Sequence, residues 1–95
     1  MRIADVKQGM RRVTVEGLIT SITEPKTVNT RYGVTSVATA ELKDDSGSIQ
    51  LVLWGDNIDM VSVGDRIRVE NGYTNYFRGQ LQLNVGRYGK LTVIK

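Results

Sequence analysis

Apolar and polar residues alternate along most of this chain, which is the period of strands that turn one face to a core. In "VTVEGLITSI" (Val13 to Ile22) β-branched and other apolar residues recur at alternate positions, with Gly17 in mid-run. A glycine inside a strand marks a bulge or a sharp bend. In "VTSVATAEL" Val34, Ala38, Ala40 and Leu42 share one face, while Thr35, Val37, Thr39 and Glu41 take the other. "SIQLVLW" sets Ile49, Leu51 and Leu53 against Gln50, Val52 and Trp54. "RIRVEN" turns Ile67 and Val69 inward and Arg66, Arg68 and Glu70 outward. "QLQLNV" opposes Leu81, Leu83 and Val85 to Gln80, Gln82 and Asn84, before Gly86 and Gly89 interrupt the run ahead of "KLTVI".

The connections are equally legible. "DDSGS" (Asp44 to Ser48) and "VGD" (Val63 to Asp65) carry residues that tolerate tight backbone and read as turns. The single proline, Pro25, falls in the loop after the first strand. In "GDNIDMVSVGD", Ile58, Met60 and Val61 are spaced for one short helical turn. The prediction is an all-β chain of five strands, the last broken in two, with a helical turn between strands three and four. That pattern fits a five-stranded Greek-key OB-fold barrel, and closure suits a short chain because it removes exposed edges. An SH3-like barrel is the alternative. Residues 1–95 read as a single OB-fold domain, with 1–10 as an N-terminal lead-in segment and 11–95 as the barrel.

Aromatic residues are few and clustered. Of the six, Tyr73, Tyr76 and Phe77 fall within "NGYTNYFRGQ", at the junction of strands four and five. A hairpin tip has too little neighbouring mass to bury three rings. Tyr76 is expected to pin the hairpin, and at least one of the others to face a partner. Strict alternation would put Tyr73 on the face of Ile67 and Val69, unless a bulge at Gly72 rotates it outward; the pattern leaves both open. By the same alternation Trp54 faces away from Ile49, Leu51 and Leu53, either capping the barrel or lying on its outer face. On an OB barrel that outer face is where nucleic acid lies. An exposed ring there is a stacking platform for bases. Arg78, beside Phe77, adds a phosphate or cation–π contact. The loop "EPKTVNTRYG" supplies Lys26, Arg31 and Tyr32 from a second point in the chain.

Composition narrows the chemistry further. Thirteen basic residues against ten acidic leave a net charge of +3, which permits a polyanionic partner without demanding one. There is no cysteine and no histidine, so thiol chemistry, disulfides, imidazole bases and the usual zinc sites are excluded. No nucleophile–base pair stands out, and Asp44–Asp45 reads as turn chemistry rather than as a carboxylate dyad. Asp56, Asp59 and Asp65 read as capping and turn residues. No enzyme, metal or cofactor is expected. With no signal-like segment and no run long enough to span a membrane, the chain reads as soluble and cytoplasmic, associated with the nucleoid.

Three pieces of the sequence together, "VTVEGLITSI", "LVLWGDNI" and "VSVGDRIRVENGYTNYFRGQLQLNVG", resemble the simple single-stranded DNA-binding proteins of archaea. They also resemble the single OB domains of archaeal replication protein A and related eukaryotic sensor proteins. The resemblance runs from about Met10 to Ile94. It implies single-stranded DNA held in the barrel groove, with bases stacked on Trp54, Tyr73 and Phe77. It further implies phosphates held by Lys26, Arg31 and Arg78, and hydrogen bonds offered by Gln80, Gln82 and Asn84. The position of Tyr73 is commonly tryptophan in that family, so tyrosine keeps the stacking face with less area. The acidic tail of the simple members, which recruits partners, has no counterpart before Lys95, so either a tail was removed or this is one OB domain of a longer protein. Replication or repair proteins are the expected protein partners. RNA or tRNA binding, and a protein-interaction role for the same aromatics, are the alternatives.

Overall fold

The computed structural model describes residues 1–31, 33–85 and 89–94. Among these residues seven strands form: β1 (Val13–Ile22), β2 (Lys26–Thr30), β3 (Gly33–Asp44), β4 (Gly47–Trp54), β5 (Arg66–Phe77), β6 (Gln80–Asn84) and β7 (Lys90–Ile94). A 3-10 turn (Ile3–Asp5) precedes them, and a four-residue helix, α1 (Asn57–Met60), lies between β4 and β5 where the helical turn was expected. Hydrogen bonding runs β1–β3–β4–β6–β5, and β5 pairs back onto β1, so five strands close a ring. All ring contacts are antiparallel except β4–β6, which is parallel. This is the OB-fold barrel expected from the alternation.

Two strands depart from the sequence reading. Residues 26–30, expected as loop, pair with β3 from Lys26↔Val37 to Thr30↔Gly33 and form a hairpin that widens the sheet beyond the ring. "KLTVI", expected as the second half of the last ring strand, instead lies along the first half of β5, from Arg66↔Ile94 to Glu70↔Lys90. The reason lies in the length of β5. Its first half pairs with β1 and β7, and its second half pairs with β6.

The core follows from period-two alternation. Val13, Val15 and Ile19 of β1, Leu42 of β3, Leu51 and Leu53 of β4, Ile67 and Val69 of β5, and Leu83 of β6 are wholly buried. Each such side chain contributes about 1.5–3 kcal/mol relative to exposure. Val34, placed with this set by parity, is 68% exposed, because the β2–β3 hairpin carries it past the end of the barrel. Gly17 sits where β1 leaves β5 and takes up β3, since Leu18 pairs with both Arg66 and Lys43. A Cβ there would stand 2.7 Å from the Lys43 carbonyl oxygen, so only glycine lets the two strands approach.

The ends of the barrel are closed by different segments. Beside the Trp54 end of β4, Val61 is buried and Ile58 packs on the core. Beside the other end, Ile3 and Val6 of the lead-in segment join the same core. The β3–β4 turn fastens that segment: the Ile3 N–H donates to Asp44 Oδ2 at 2.9 Å and the Ala4 N–H to Ser46 Oγ at 3.0 Å. Asp44 Oδ1 also accepts from the N–H groups of Ser46 (2.7 Å) and Gly47 (3.1 Å). These bonds, the Ile3 amide foremost and the Ser46 hydroxyl next, hold the Asp44 carboxyl at about 2, below its usual 3.8. Asp44 is thus a turn residue, as read from "DDSGS". Asp65 is another, its Oδ2 accepting the Ser62 N–H, whereas Asp56 makes no side-chain cap to α1.

Candidate nucleic-acid interface

Register decides which side chains share the outer face of the ring. Residues directly opposite one another point to the same side of a sheet. Outward pairs on β3 and β4 are Val37–Trp54, Thr39–Val52 and Glu41–Gln50. Across β4 and β6, Val52 faces Asn84 and Gln50 faces Gln82. Across β6 and β5, Asn84 faces Tyr73, Gln82 faces Asn75 and Gln80 faces Phe77. One continuous surface therefore carries Trp54 at one end and Phe77 at the other, with an amide-rich middle. Gln82 Nε2 donates to Gln50 Oε1 at 3.1 Å, and Asn84 Nδ2 to Asn75 Oδ1 at 2.9 Å.

The outward orientation of Tyr73 depends on one extra residue. Val13 pairs with Gly72 and Val15 with Val69, so β5 spends three residues where β1 spends two. Asn71 takes up the excess with φ 55, in the left-handed region that asparagine tolerates better than most residues. The bulge is thus at Asn71 rather than at Gly72. It reverses the phase of the strand: Ile67 and Val69 point in, then Gly72 and Thr74 point in, and Tyr73, Asn75 and Phe77 point out. Gly72 occupies the inward slot because a Cβ would lie 2.9 Å from Leu83 Cδ1 and 3.1 Å from the Asn84 carbonyl oxygen. Thr74 is buried, but its hydroxyl donates to the Lys7 carbonyl (2.6 Å) and accepts the Met10 N–H (3.0 Å), which ties the lead-in segment to β5.

Four aromatics are solvent-accessible among the described residues: Trp54 is 40%, Tyr73 43%, Tyr76 52% and Phe77 54% exposed. The expectation that Tyr76 pins the hairpin is corrected. Its partner Leu81 is inward by parity, but both lie towards the hairpin tip, where too little barrel remains to cover a ring. Tyr76 therefore stands on the opposite face from Tyr73 and Phe77. At the tip, Arg78 (φ 53) and Gly79 (φ 78) form a two-residue turn of the type that favours tight hairpins. That backbone lays the Arg78 guanidinium over Phe77, with Cζ 5.2 Å from the ring centroid.

A groove of about 470 Å³ runs along this face, with Trp54, Phe77, Lys26, Gln82 and Asn84 among its walls. Lys26 reaches it because β2 extends the sheet next to Val37. Tyr73 and Gln80 adjoin the groove as cross-strand partners of Asn84 and Phe77. Arg31 does not line it; it sits at the tip of the β2–β3 hairpin. Tyr32, also expected here, lies outside the described residues. Sequence reasoning missed Val28, Val37, Thr39, Val52 and Asn75, which also line the groove. Val37, Thr39 and Val52 were legible as outward by parity, but only the register brings them beside Asn84. On the far side of the barrel Arg68 is committed to Glu16, at 2.7 Å. Among the described residues, no helix is long and apolar enough to cross a membrane.

Comparison with known proteins agrees with the barrel fold. Residues 13–91 match the tRNA anti-codon family of OB-fold nucleic acid binding domains. The single-stranded DNA binding protein Ssb of Saccharolobus solfataricus is 30% identical over 90 residues, covering 95% of this chain and 61% of that protein. Replication factor A of Methanothermobacter thermautotrophicus is 31% identical over 97 residues, 95% of this chain but 12% of its own length. This chain thus spans less than two thirds of either relative. A solution NMR structure of an OB domain from Thermoplasma acidophilum superposes with a TM-score of 0.86 at 26% identity, covering 99% of this chain and 85% of that one.

Proposed function

This chain belongs to the OB-fold nucleic acid binding domain family, and on that footing we propose that its outer groove binds single-stranded DNA with little regard to sequence. The observation that carries the reading is the placement of Trp54, Tyr73 and Phe77, three accessible rings on one face of the ring, along one groove. Bases stack on these rings, and stacking tolerates every base because each has a π-face. Lys26, Arg31 and Arg78 neutralise phosphates, with Tyr32 beside Arg31 in the sequence. Gln80, Gln82 and Asn84 offer hydrogen bonds to base edges from β6. The relatives named as single-stranded DNA binding protein and replication factor A point the same way. The process served is replication, recombination or repair, and the proteins of those processes are the natural partners. The chemistry is binding rather than catalysis.

The test is titration of the single tryptophan with oligo-dT, at two salt concentrations, beside ribo-U oligomers and duplex DNA. Because Trp54 is the only tryptophan, its fluorescence reports on this face alone. Strong quenching by oligo-dT, weaker with duplex and relieved by salt, is expected. Tighter binding of the ribo-oligomer would reassign the groove to RNA. Failure of every oligomer to bind would leave the exposed aromatics to a protein partner.

A further inference from the structure

A solvent-facing side of a sheet normally alternates to polar residues. Val52 breaks that rule: it lies on the outer face of β4, yet it is only 6% exposed. Asn84, its cross-strand partner on β6, is equally buried, also at 6%. Neither belongs to the barrel core, and both line the floor of the groove. Val37 adds a second apolar wall one pair further along, opposite Trp54. The Asn84 amide donates one N–H to Asn75 Oδ1. An amide carries a second N–H, so a donor remains beside the valine.

We propose that Val52 and Asn84 form a thymine-reading subsite, an inference that rests on the single-stranded DNA reading above. Thymine carries an acceptor, O4, next to its C5-methyl group. The remaining Asn84 N–H suits O4, and Val52 with Val37 suits the methyl. Tyr73 is the cross-strand partner of Asn84, and Trp54 follows Val52 on the same face of β4. A base stacked on either ring brings its edge over this floor. Uracil offers O4 without the methyl, cytosine offers a donor where thymine accepts, and purines have no methyl at that edge. The groove is then sequence-tolerant through its rings and biased towards thymine through its floor.

The test compares oligo-dT with oligo-dU of equal length, which share the deoxyribose–phosphate backbone and differ only in the methyl. Tryptophan quenching is read for the native protein and for Val52→Thr, which keeps the shape and replaces a methyl by a hydroxyl. The native protein should bind oligo-dT about fourfold more tightly for each methyl group taken into the floor. In Val52→Thr the dT-to-dU ratio should fall towards one. Equal native affinities for the two oligomers would overturn the subsite while leaving the binding function intact. So would a ratio that survives both Val52→Thr and the double variant Val37→Thr/Val52→Thr, because the methyl would then act through stacking alone. Absence of binding by both oligomers would remove the binding function and the subsite together. The native comparison stands whether or not the variant folds.

Discussion

At the scale of single residues, Tyr76 and Phe77 allow exposure to be tested apart from position in the groove. They are adjacent, similarly exposed and of similar size, yet they face opposite sides of the β5–β6 hairpin. If bases stack in the groove, Phe77→Ala should cost about 1–3 kcal/mol of binding, a 5- to 150-fold loss read by Trp54 quenching. Tyr76→Ala should change affinity by less than about twofold, since the ring points away from the groove. Equal losses in both variants would mean that the hairpin tip, rather than one of its faces, contacts the strand. Trp54 is the last residue of β4, where Val37 of β3 lies opposite it in the sheet.

Among the elements, β5 decides the site. Its alternation was readable up to Val69, but the residues after it change sides at Asn71. The left-handed backbone at that position accepts Asn or Gly and resists β-branched side chains. Asn71→Gly should therefore leave the unfolding midpoint nearly unchanged, and Asn71→Val should lower stability by roughly 1–2 kcal/mol in urea titrations. A Val variant as stable as the native protein would show that residue 71 does not hold the left-handed backbone of the bulge. The β3–β4 turn gives a second prediction at this scale. Asp44 has a folded pKa of about 2 against an ordinary 3.8, so its contribution is complete above the higher value and is lost as the pH falls through the lower one. Thermal unfolding of native protein and Asp44→Asn should differ at pH 6 and converge between about pH 4 and pH 2. A gap that persists at pH 2 would place the effect of the substitution outside carboxylate titration.

For the whole molecule, net charge matters less than where the cations sit. The overall excess is only +3, and Arg68 is paired with Glu16 on the face away from the groove. Binding should consequently depend on salt through the few cations near the groove and its hairpins. With Lys26, Arg31 and Arg78 each neutralising one phosphate, the slope of log affinity against log salt is expected near about −2. Arg78→Gly preserves the left-handed turn and removes one charge, so it should make the slope shallower by about 0.7 without loss of stability. An unchanged slope in that variant would assign Arg78 to the Phe77 ring alone, through the cation–π contact.

The sequence by itself determined the ring strands, the helical turn between β4 and β5, the inward set from Val13 to Leu83 apart from Val34, and the outward parity of Trp54. These follow from local alternation and turn chemistry, which need no knowledge of distant residues. The resemblance to archaeal single-stranded DNA-binding proteins was legible for the same reason, because its motifs are contiguous. Tertiary structure alone decided the rest. Residues 26–30 are too short and polar to signal a strand, and become one only by pairing with β3. Tyr73 and Phe77 face the groove only because β5 carries one more residue than the stretch of β1 it pairs with, a count that spans two distant segments. Val52 and Asn84 are each unremarkable in their own strands; the parallel register of β4 and β6 makes them neighbours and gives the groove its floor.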